Sequence, residues 1–398
     1  MRRGLFVILC LIAAVVVAAP AWAQGEFKLQ FKKADTDTAG VMRMARQYVP
    51  APAMPASQLS GLPEGAAGNW LYVQAPLGQR KVLMAMAQAD TSKLYVDTNG
   101  DGALKDEKPL EAAAKSGQQV FGPVALSVGD GKDKRTVSLS VMQPTGRSYL
   151  ICSPGGYWSG TAELGGRKVS LGLVDSDWDG RIARGEFSMK AIMSRRFDGL
   201  AIDLDGDGRF STSVRNFEVM PLPRLIQAGG VYYSLSVKPD ASAVTFTKVE
   251  PKLGTLDAGT PDVEVMLFGD TGAHYLKESG GKWPLPAGDY LAGRVVLSRK
   301  DDSGATWSLT GQPGQDTGPI RVEAGKTVAM GLGGLVAAAD VSKASRGNPI
   351  SIGFALKSDG GIEFAPGAMK DGKRQAAPTF KILGENGAVL KADKFSYG

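Results

Sequence analysis

From residue 175 the chain reads Asp175-Ser176-Asp177-Trp178-Asp179-Gly180-Arg181-Ile182-Ala183-Arg184-Gly185-Glu186, which sets three carboxylates at alternate positions ahead of a glycine. Side-chain oxygens at that spacing, followed by a residue that permits a sharp reversal, are the donor chemistry of a hard divalent cation. The order recurs in Asp97-Thr98-Asn99-Gly100-Asp101-Gly102 and in Asp203-Leu204-Asp205-Gly206-Asp207-Gly208. Each copy follows a short apolar run, and each has an apolar residue two places beyond its last glycine: Leu104, Ile182 and Phe210. Aspartate-glycine turns also form without metal, since Asp and Asn bond the backbone two residues on and Gly accepts positive φ. Three such loops favour the metal, because crowded carboxylates without a counter-charge repel one another.

In this arrangement the loops resemble the EF-hand-type calcium loop. The resemblance implies Ca²⁺ as the cofactor, with the side chains of Asp175, Asp177 and Asp179 at positions 1, 3 and 5 and Gly180 at the turn. It further implies the Arg181 carbonyl as a ligand, a water under Ala183 and a bidentate Glu186. By the same carry-over Asp203, Asp205, Asp207 and the Arg209 carbonyl form a second set, and Asp97, Asn99, Asp101 and the Ala103 carbonyl a third. Lys108 and Val214 replace the final glutamate in these two copies. Asp106, Glu107 and Glu218 are the carboxylates that could compensate. The resemblance stops at the loop, because a strand rather than a helix enters Asp175.

The segments that must position these loops read as strands. Trp70 to Val73 and Lys81 to Met86 form apolar runs that predict a pair, and Leu94-Tyr95-Val96 leads into the Asp97 loop. Val124 to Val128 and Arg135 to Val141 alternate around Gly129-Asp130-Gly131, and Gly155 to Leu173 reads as a hairpin whose second strand enters the Asp175 loop. Pro109 to Lys115 and Phe187 to Phe197 carry the little helical character there is. The short spacing between the Asp175 and Asp203 loops predicts that they lie at one end of one sheet and share ions. With 52 glycines and many short apolar runs, the fold class is mostly β: multi-domain antiparallel β-sandwich or barrel modules with Asp-rich calcium loops at strand ends and little helix.

The expected organisation is a signal peptide over 1–23, an extended, poorly packed lead-in over 24–68, one β domain with all three loops over 69–250, a β-sandwich over 251–338 and a small β unit over 339–398. Trp283-Pro284-Leu285-Pro286-Ala287-Gly288-Asp289-Tyr290 resembles the turn and strand entry of secreted immunoglobulin-like or carboxypeptidase-regulatory-like sandwiches, over roughly Thr260 to Leu335. The closing strands, such as Ile350 to Phe354 and Thr379 to Leu383, either complete that sandwich or stand alone.

Met1-Arg2-Arg3, the apolar run to Ala19 and Ala21-Trp22-Ala23 form a secretory signal with cleavage before Gln24. The expected location is therefore exported, periplasmic or extracellular, and no other run is long and apolar enough for a membrane span. Of two cysteines, only Cys152 survives cleavage, so no internal disulfide is available; its setting predicts a buried strand thiol. The net charge of +6 is spread without a basic stripe, which gives no footprint for nucleic acid. The single histidine, His274, argues against a histidine-based triad or zinc site. Asp270-Thr271-Gly272-Ala273 resembles a retropepsin-like active-site loop, but such chemistry needs a second facing aspartate and the motif occurs once. Tyr157, Trp158 and Trp178 read as core aromatics, with sugar stacking as the alternative. The function expected is a non-enzymatic, calcium-binding structural or interaction protein whose partners are calcium ions and cell-envelope polysaccharide or another surface protein. The rivals are an exported hydrolase using carboxylates and a glycan-binding module.

Overall fold

The structure is a computed structural model, and it describes residues 25–34, 45–77, 80–115, 118–128, 135–183, 185, 197–210, 218–277, 279–314, 317–341, 352–365 and 367–396. The expected signal segment 1–23, Glu186 and most of Phe187 to Phe197 lie outside these residues. The described chain is nearly all antiparallel strand, and it gathers into three large apolar cores. No helix among the described residues is long and apolar enough to cross a membrane.

The first core lies between two five-stranded sheets. One is ordered Gln47–Pro50, Tyr149–Pro154, Arg135–Pro144, Gln118–Val128, Ala113–Lys115; the other runs Ala53–Pro55, Asn69–Leu77, Arg80–Ala87, Lys93–Val96, Leu110–Glu111. Arg135–Pro144 shows how sequence sets the register: Val137, Leu139, Val141 and Gln143 are buried while the residues between them are not, the period of two that sends one face of a strand into the core. Cys152 sits in this core, and burial pushes its thiol up to about 12, so it packs as a small apolar group. Pro109 to Lys115 is not helical. It forms two short edge strands whose backbone pairs with Lys93 and Leu94 on one side and with 118–120 on the other, so sheet pairing overrides a weak local helical tendency.

The second core lies between Gln30–Lys33, Gly156–Leu164, Arg167–Val174, Gly199–Ile202, Val219–Pro221 in one sheet and Gly25–Lys28, Ala243–Val249, Val231–Val237, Leu225–Ala228 in the other. Its two sheets are tied where the Gly165 N–H donates to the Tyr233 hydroxyl at 2.9 Å. Gly165 has φ +57°, and a Cβ there would stand 2.6 Å from the Ala228 carbonyl oxygen, so the turn requires glycine. Residues 69–250 thus contribute to two cores rather than one.

The described residues of 24–68 are extended, with only Leu29, Ala45, Val49 and Ala51 buried, and their strands pair with later ones. Gly25–Lys28 pairs with Ala243–Val249, Gln30–Lys33 with Gly156–Leu164, Gln47–Pro50 with Tyr149–Pro154, and Ala53–Pro55 with Asn69–Leu77. Leu59 and Leu62 then cover Trp70 and Leu83 on the outer face of the second sheet. Pro50 and Pro55 fall in edge strands, where proline costs no ladder hydrogen bond.

Beyond Pro251 the third core packs Leu256, Trp283 and Leu285 against Val265, Leu267, Tyr290 and Val295, and it also takes Ile362 and Phe364 from the closing segment. The strands Ile352–Ser358 and Ile362–Phe364 therefore complete the preceding sheet, while Thr379–Leu383 and Val389–Lys394 form a separate exposed hairpin. That hairpin leans on the sheet through Phe395, whose ring lies 4.9 Å from Phe380 and 5.4 Å from Phe354.

Candidate metal centre

The three aspartate loops share one backbone. Positions 4 and 6 have positive φ in each: Gly100 (82°) and Gly102 (81°), Trp178 (57°) and Gly180 (76°), Gly206 (82°) and Gly208 (79°). The position-6 amide donates to the first aspartate in all three, Gly102 to Asp97 at 3.0 Å, Gly180 to Asp175 at 2.9 Å and Gly208 to Asp203 at 3.1 Å. The position-5 amides donate to the position-3 side chains, Asp101 to Asn99, Asp179 to Asp177 and Asp207 to Asp205. The position-7 amides of Ala103, Arg181 and Arg209 donate to Asp101, Asp179 and Asp207. The side chains at positions 1, 3 and 5 are thus oriented by the loop's own N–H groups.

A further carboxylate closes each loop, from position 11 in the first and from beyond the loop in the other two. Glu107 accepts the Thr98 N–H at 2.7 Å, Asp198 the Ser176 N–H at 3.1 Å, and Glu218 the Leu204 N–H at 3.1 Å. Asp198 also accepts the Ala183 N–H at 2.7 Å. Among the described residues two triads bring ligand oxygens within 4.8 Å of one another: Asp175, Asp177 and Asp198, and Asp203, Asp205 and Glu218. Asp179 and Asp207 stand outside these triads, and so do Asp97, Asn99 and Asp101, where an amide replaces one carboxylate. In the first loop the Asn99 side-chain amide instead donates to Asp106 at 3.0 Å.

Sequence reasoning named Glu107 and Glu218 as stand-ins for position 12 but missed Asp198. Its available signal was position: Asp198 immediately precedes the apolar run Gly199–Ile202, which pairs back on Arg167–Val174 with Gly199 opposite Val174. That register brings the residue before the returning strand alongside the residue after the outgoing one.

The same register overturns the expectation of loops at one end of a sheet sharing ions. Asp198 and Asp203 flank the two ends of a four-residue strand, roughly 16 Å apart at ~3.3 Å per residue, which is too far for a common ion. The Asp97 loop belongs to the first core's sheets. Instead the two triads bracket one buried strand, with all four residues of Gly199–Ile202 inside.

The Asp175 loop also joins two cores. Trp178, 1% exposed, packs in the first core, and Ile182, 3% exposed, packs in the second. The Arg135 guanidinium donates to the Gly180 carbonyl at 3.2 Å, and the Gln47 amide donates to the Ser176 carbonyl. Trp178 occupies the position that is glycine in the other loops, so the packing of its indole offsets a left-handed backbone that costs a non-glycine residue about 1 kcal/mol or more.

Burial makes this triad electrostatically unsatisfied. Burial first and then Asp177 push Asp175 up to about 8, and burial, then Asp175 and Asp177, push Asp198 up to about 9. Asp177 is raised by burial and by Asp179. Asp175 Oδ1 is buried with no hydrogen-bond partner. A divalent cation would supply both the missing charge and the missing partner, so the donor set fits a hard metal ion.

The other candidate chemistry resolves into structure. Asp270 pairs with Arg224 at 3.2 Å, and Thr271 donates to the Tyr290 hydroxyl, which donates to the Pro286 carbonyl. These bonds hold the Gly269/Gly272 turn, with no second aspartate motif to make a dyad. The His274 ring packs edge-on to Tyr290 at 5.6 Å, and burial pulls its imidazole down to about 4. Because the folded value lies below the unfolded 6.5, this residue favours the native state above pH 6.5 and loses that contribution as pH falls toward 4. Acid destabilisation between these values is expected to shrink in His274→Gln, as measured by denaturant midpoints at stepped pH. Equal pH profiles for the two proteins would contradict the assignment.

No family model, no curated protein and no solved structure matches this chain.

Proposed function

We propose that this chain is an exported, non-enzymatic calcium-binding β protein whose ions lock its first two sandwich units together, presenting a rigid surface for cell-envelope polysaccharide or a surface protein. The observation that carries the reading is Asp175 Oδ1, buried and without a partner inside a triad whose ligand oxygens lie within 4.8 Å. Calcium suits the site better than magnesium. Carboxylates delivered from a loop and from a distant strand entry form an irregular shell, which calcium accepts and strictly octahedral magnesium does not. Extracellular location supplies the ion at concentrations where affinities of about 10⁻⁴ to 10⁻³ M are useful.

The test is isothermal calorimetry of the full chain with calcium and with magnesium. Calcium is expected to bind with Kd in that range, and Asp198→Asn, which keeps the volume but removes the closing charge, is expected to weaken the Asp175 site at least about tenfold. Glu186→Gln in parallel asks whether Glu186 adds a ligand. Absence of binding heat at millimolar calcium would refute the reading.

A further inference from the structure

Of the ten large apolar side chains that stand exposed among the described residues, seven lie in the last part of the chain. Leu335, Val336 and Val341 are on one strand, and the other four are on the closing hairpin of Thr379–Leu383 and Val389–Lys394. Single apolar residues scattered over a surface need no explanation, but a gathering of this kind marks an interaction site.

Leu335–Val341 is the edge strand of the sheet that carries the third core, and it pairs with Ile352–Ser358 through all seven residues without a register shift. Among the described residues no strand pairs with its other side. Sheet edges of this length ordinarily carry lysine, proline or a bulge that deters pairing. This one reads Leu335-Val336-Ala337-Ala338-Ala339-Asp340-Val341, with Asp340 its one charged residue.

The strand also carries the core face past its cover. Ala337 lies opposite Leu356, which packs on the third core and itself lies opposite the buried Phe364. Alternate residues share a face, so Leu335, Ala337, Ala339 and Val341 stand on that same side, yet all four are exposed, Leu335 by 41% and Val341 by 55%. The cover ends one strand earlier, where Phe395 meets Phe354, the residue opposite Ala339. An edge with unpaired backbone groups beside an open apolar face fits an extended polypeptide, which satisfies both at once. A bilayer would satisfy only the second, and the hairpin tip that would enter it first carries Glu385.

We propose that two copies of this chain join antiparallel through Leu335–Val341, about a two-fold axis at Ala338, into one continuous sheet. The strand is complementary to itself in this arrangement, as an isologous interface requires. Full overlap of its seven residues sets Leu335 opposite Val341 of the second copy at both ends and Ala337 opposite Ala339 between them. The one charged residue, Asp340, falls opposite Val336, so no like charges meet across the seam. The two-fold axis of an antiparallel pair is perpendicular to the sheet, so the two open core faces and both closing hairpins lie on one side of it. Pairing stops at two copies, because the opposite edge strand, Gly272–Leu276, packs against the second core through Ala273 and Tyr275. The seam holds no aspartate loop, so the proposal stands apart from the calcium reading.

The test is sedimentation equilibrium of the full chain over a range of concentrations. The chain is expected to reach twice its own mass and to fall toward the monomer on dilution. Leu335→Lys/Val341→Lys sets lysines opposite one another at both ends of the seam and is expected to weaken association at least about tenfold. Leu253→Lys, at an exposed position on another sheet, is expected to leave it unchanged. Both seam positions are exposed, so the double variant keeps its fold, as its denaturant midpoint checks. Cross-linking reads the register independently. Paired residues of antiparallel strands have Cα atoms about 4.5 to 5.5 Å apart, within disulfide reach, whereas positions 335 and 341 of one chain lie roughly 20 Å apart at ~3.3 Å per residue. Mild oxidation is expected to link two chains in Leu335→Cys/Val341→Cys but not in Leu335→Cys alone. A monomer at every concentration, or a dimer that the lysines leave intact, would overturn the proposal. Links in Leu335→Cys alone would overturn the axis at Ala338. A monomer that floats with phosphatidylglycerol vesicles would assign the apolar surface to a membrane instead.

Discussion

Trp178→Ala is expected to destabilise the chain by roughly 3 to 5 kcal/mol, the range for removing a buried large aromatic from a core that cannot collapse to fill the space. The indole is fully inside the first core, yet it is carried by a loop whose ligands belong to the second unit's strands. Its removal therefore opens a cavity and uncouples the loop from the sheets that support it. Alanine retains the left-handed strain of φ +57°. Trp178→Gly relieves that strain and is expected to recover about 1 kcal/mol of the loss despite being smaller. Denaturant midpoints of the three proteins check both steps. A loss under about 1 kcal/mol for alanine, or glycine less stable than alanine, would mean that the loop is not held by its tryptophan.

The contrast between Trp178 and its glycine counterparts shows what was legible in the sequence. The carboxylate spacing, the position-6 glycines and the apolar residues Leu104, Ile182 and Phe210 were all readable, because a local backbone device writes its requirements into adjacent residues. All three loops accordingly share the bond from the position-6 amide to the first aspartate. Hairpins such as Arg135–Pro144 with Gln118–Val128 were readable for the same reason, a period of two within one strand.

What the sequence hid depends on long-range pairing. Asp198 becomes a neighbour of Asp175 only through the register of Arg167–Val174 with Gly199–Ile202. The pairing of Gly25–Lys28, Gln30–Lys33, Gln47–Pro50 and Ala53–Pro55 depends on partners from Asn69 to Val249, which no local pattern announces. The placement of the Asp175 and Asp203 loops failed for a related reason. Closeness in sequence suggested closeness in space, but an antiparallel strand of even four residues carries its two ends to opposite ends of the sheet. The sharing of residues 69–250 between two cores was hidden too, since Trp178 and Ile182 are four residues apart and enter different ones.

Chelation of the full chain is expected to lower the melting temperature of the first two units together and leave the third unchanged. A ligand that binds only the native state stabilises it by RT ln(1 + [L]/Kd), about 1.4 kcal/mol per site at ten times Kd. The two triads bracket Gly199–Ile202, with Asp198 before it and Asp203 after it, so both contributions act on one buried strand at the centre of the second core. The Asp175 loop passes its share to the first core through Trp178. Together they amount to about 3 kcal/mol, a large part of ordinary domain stability, in a chain whose one described cysteine is free and buried. No aspartate loop enters the third core. The full chain is the proper sample, because a fragment beginning at Asn69 would remove four strands from the sheets it is meant to test. Hydrogen exchange locates the effect: amides of Gly199–Ile202 are expected to lose protection on chelation by a factor on the order of 100, the equivalent of about 3 kcal/mol, while Val265 and Leu267 in the third core keep theirs. Equal loss at both places, or none at Gly199–Ile202, would show that no ion holds this strand.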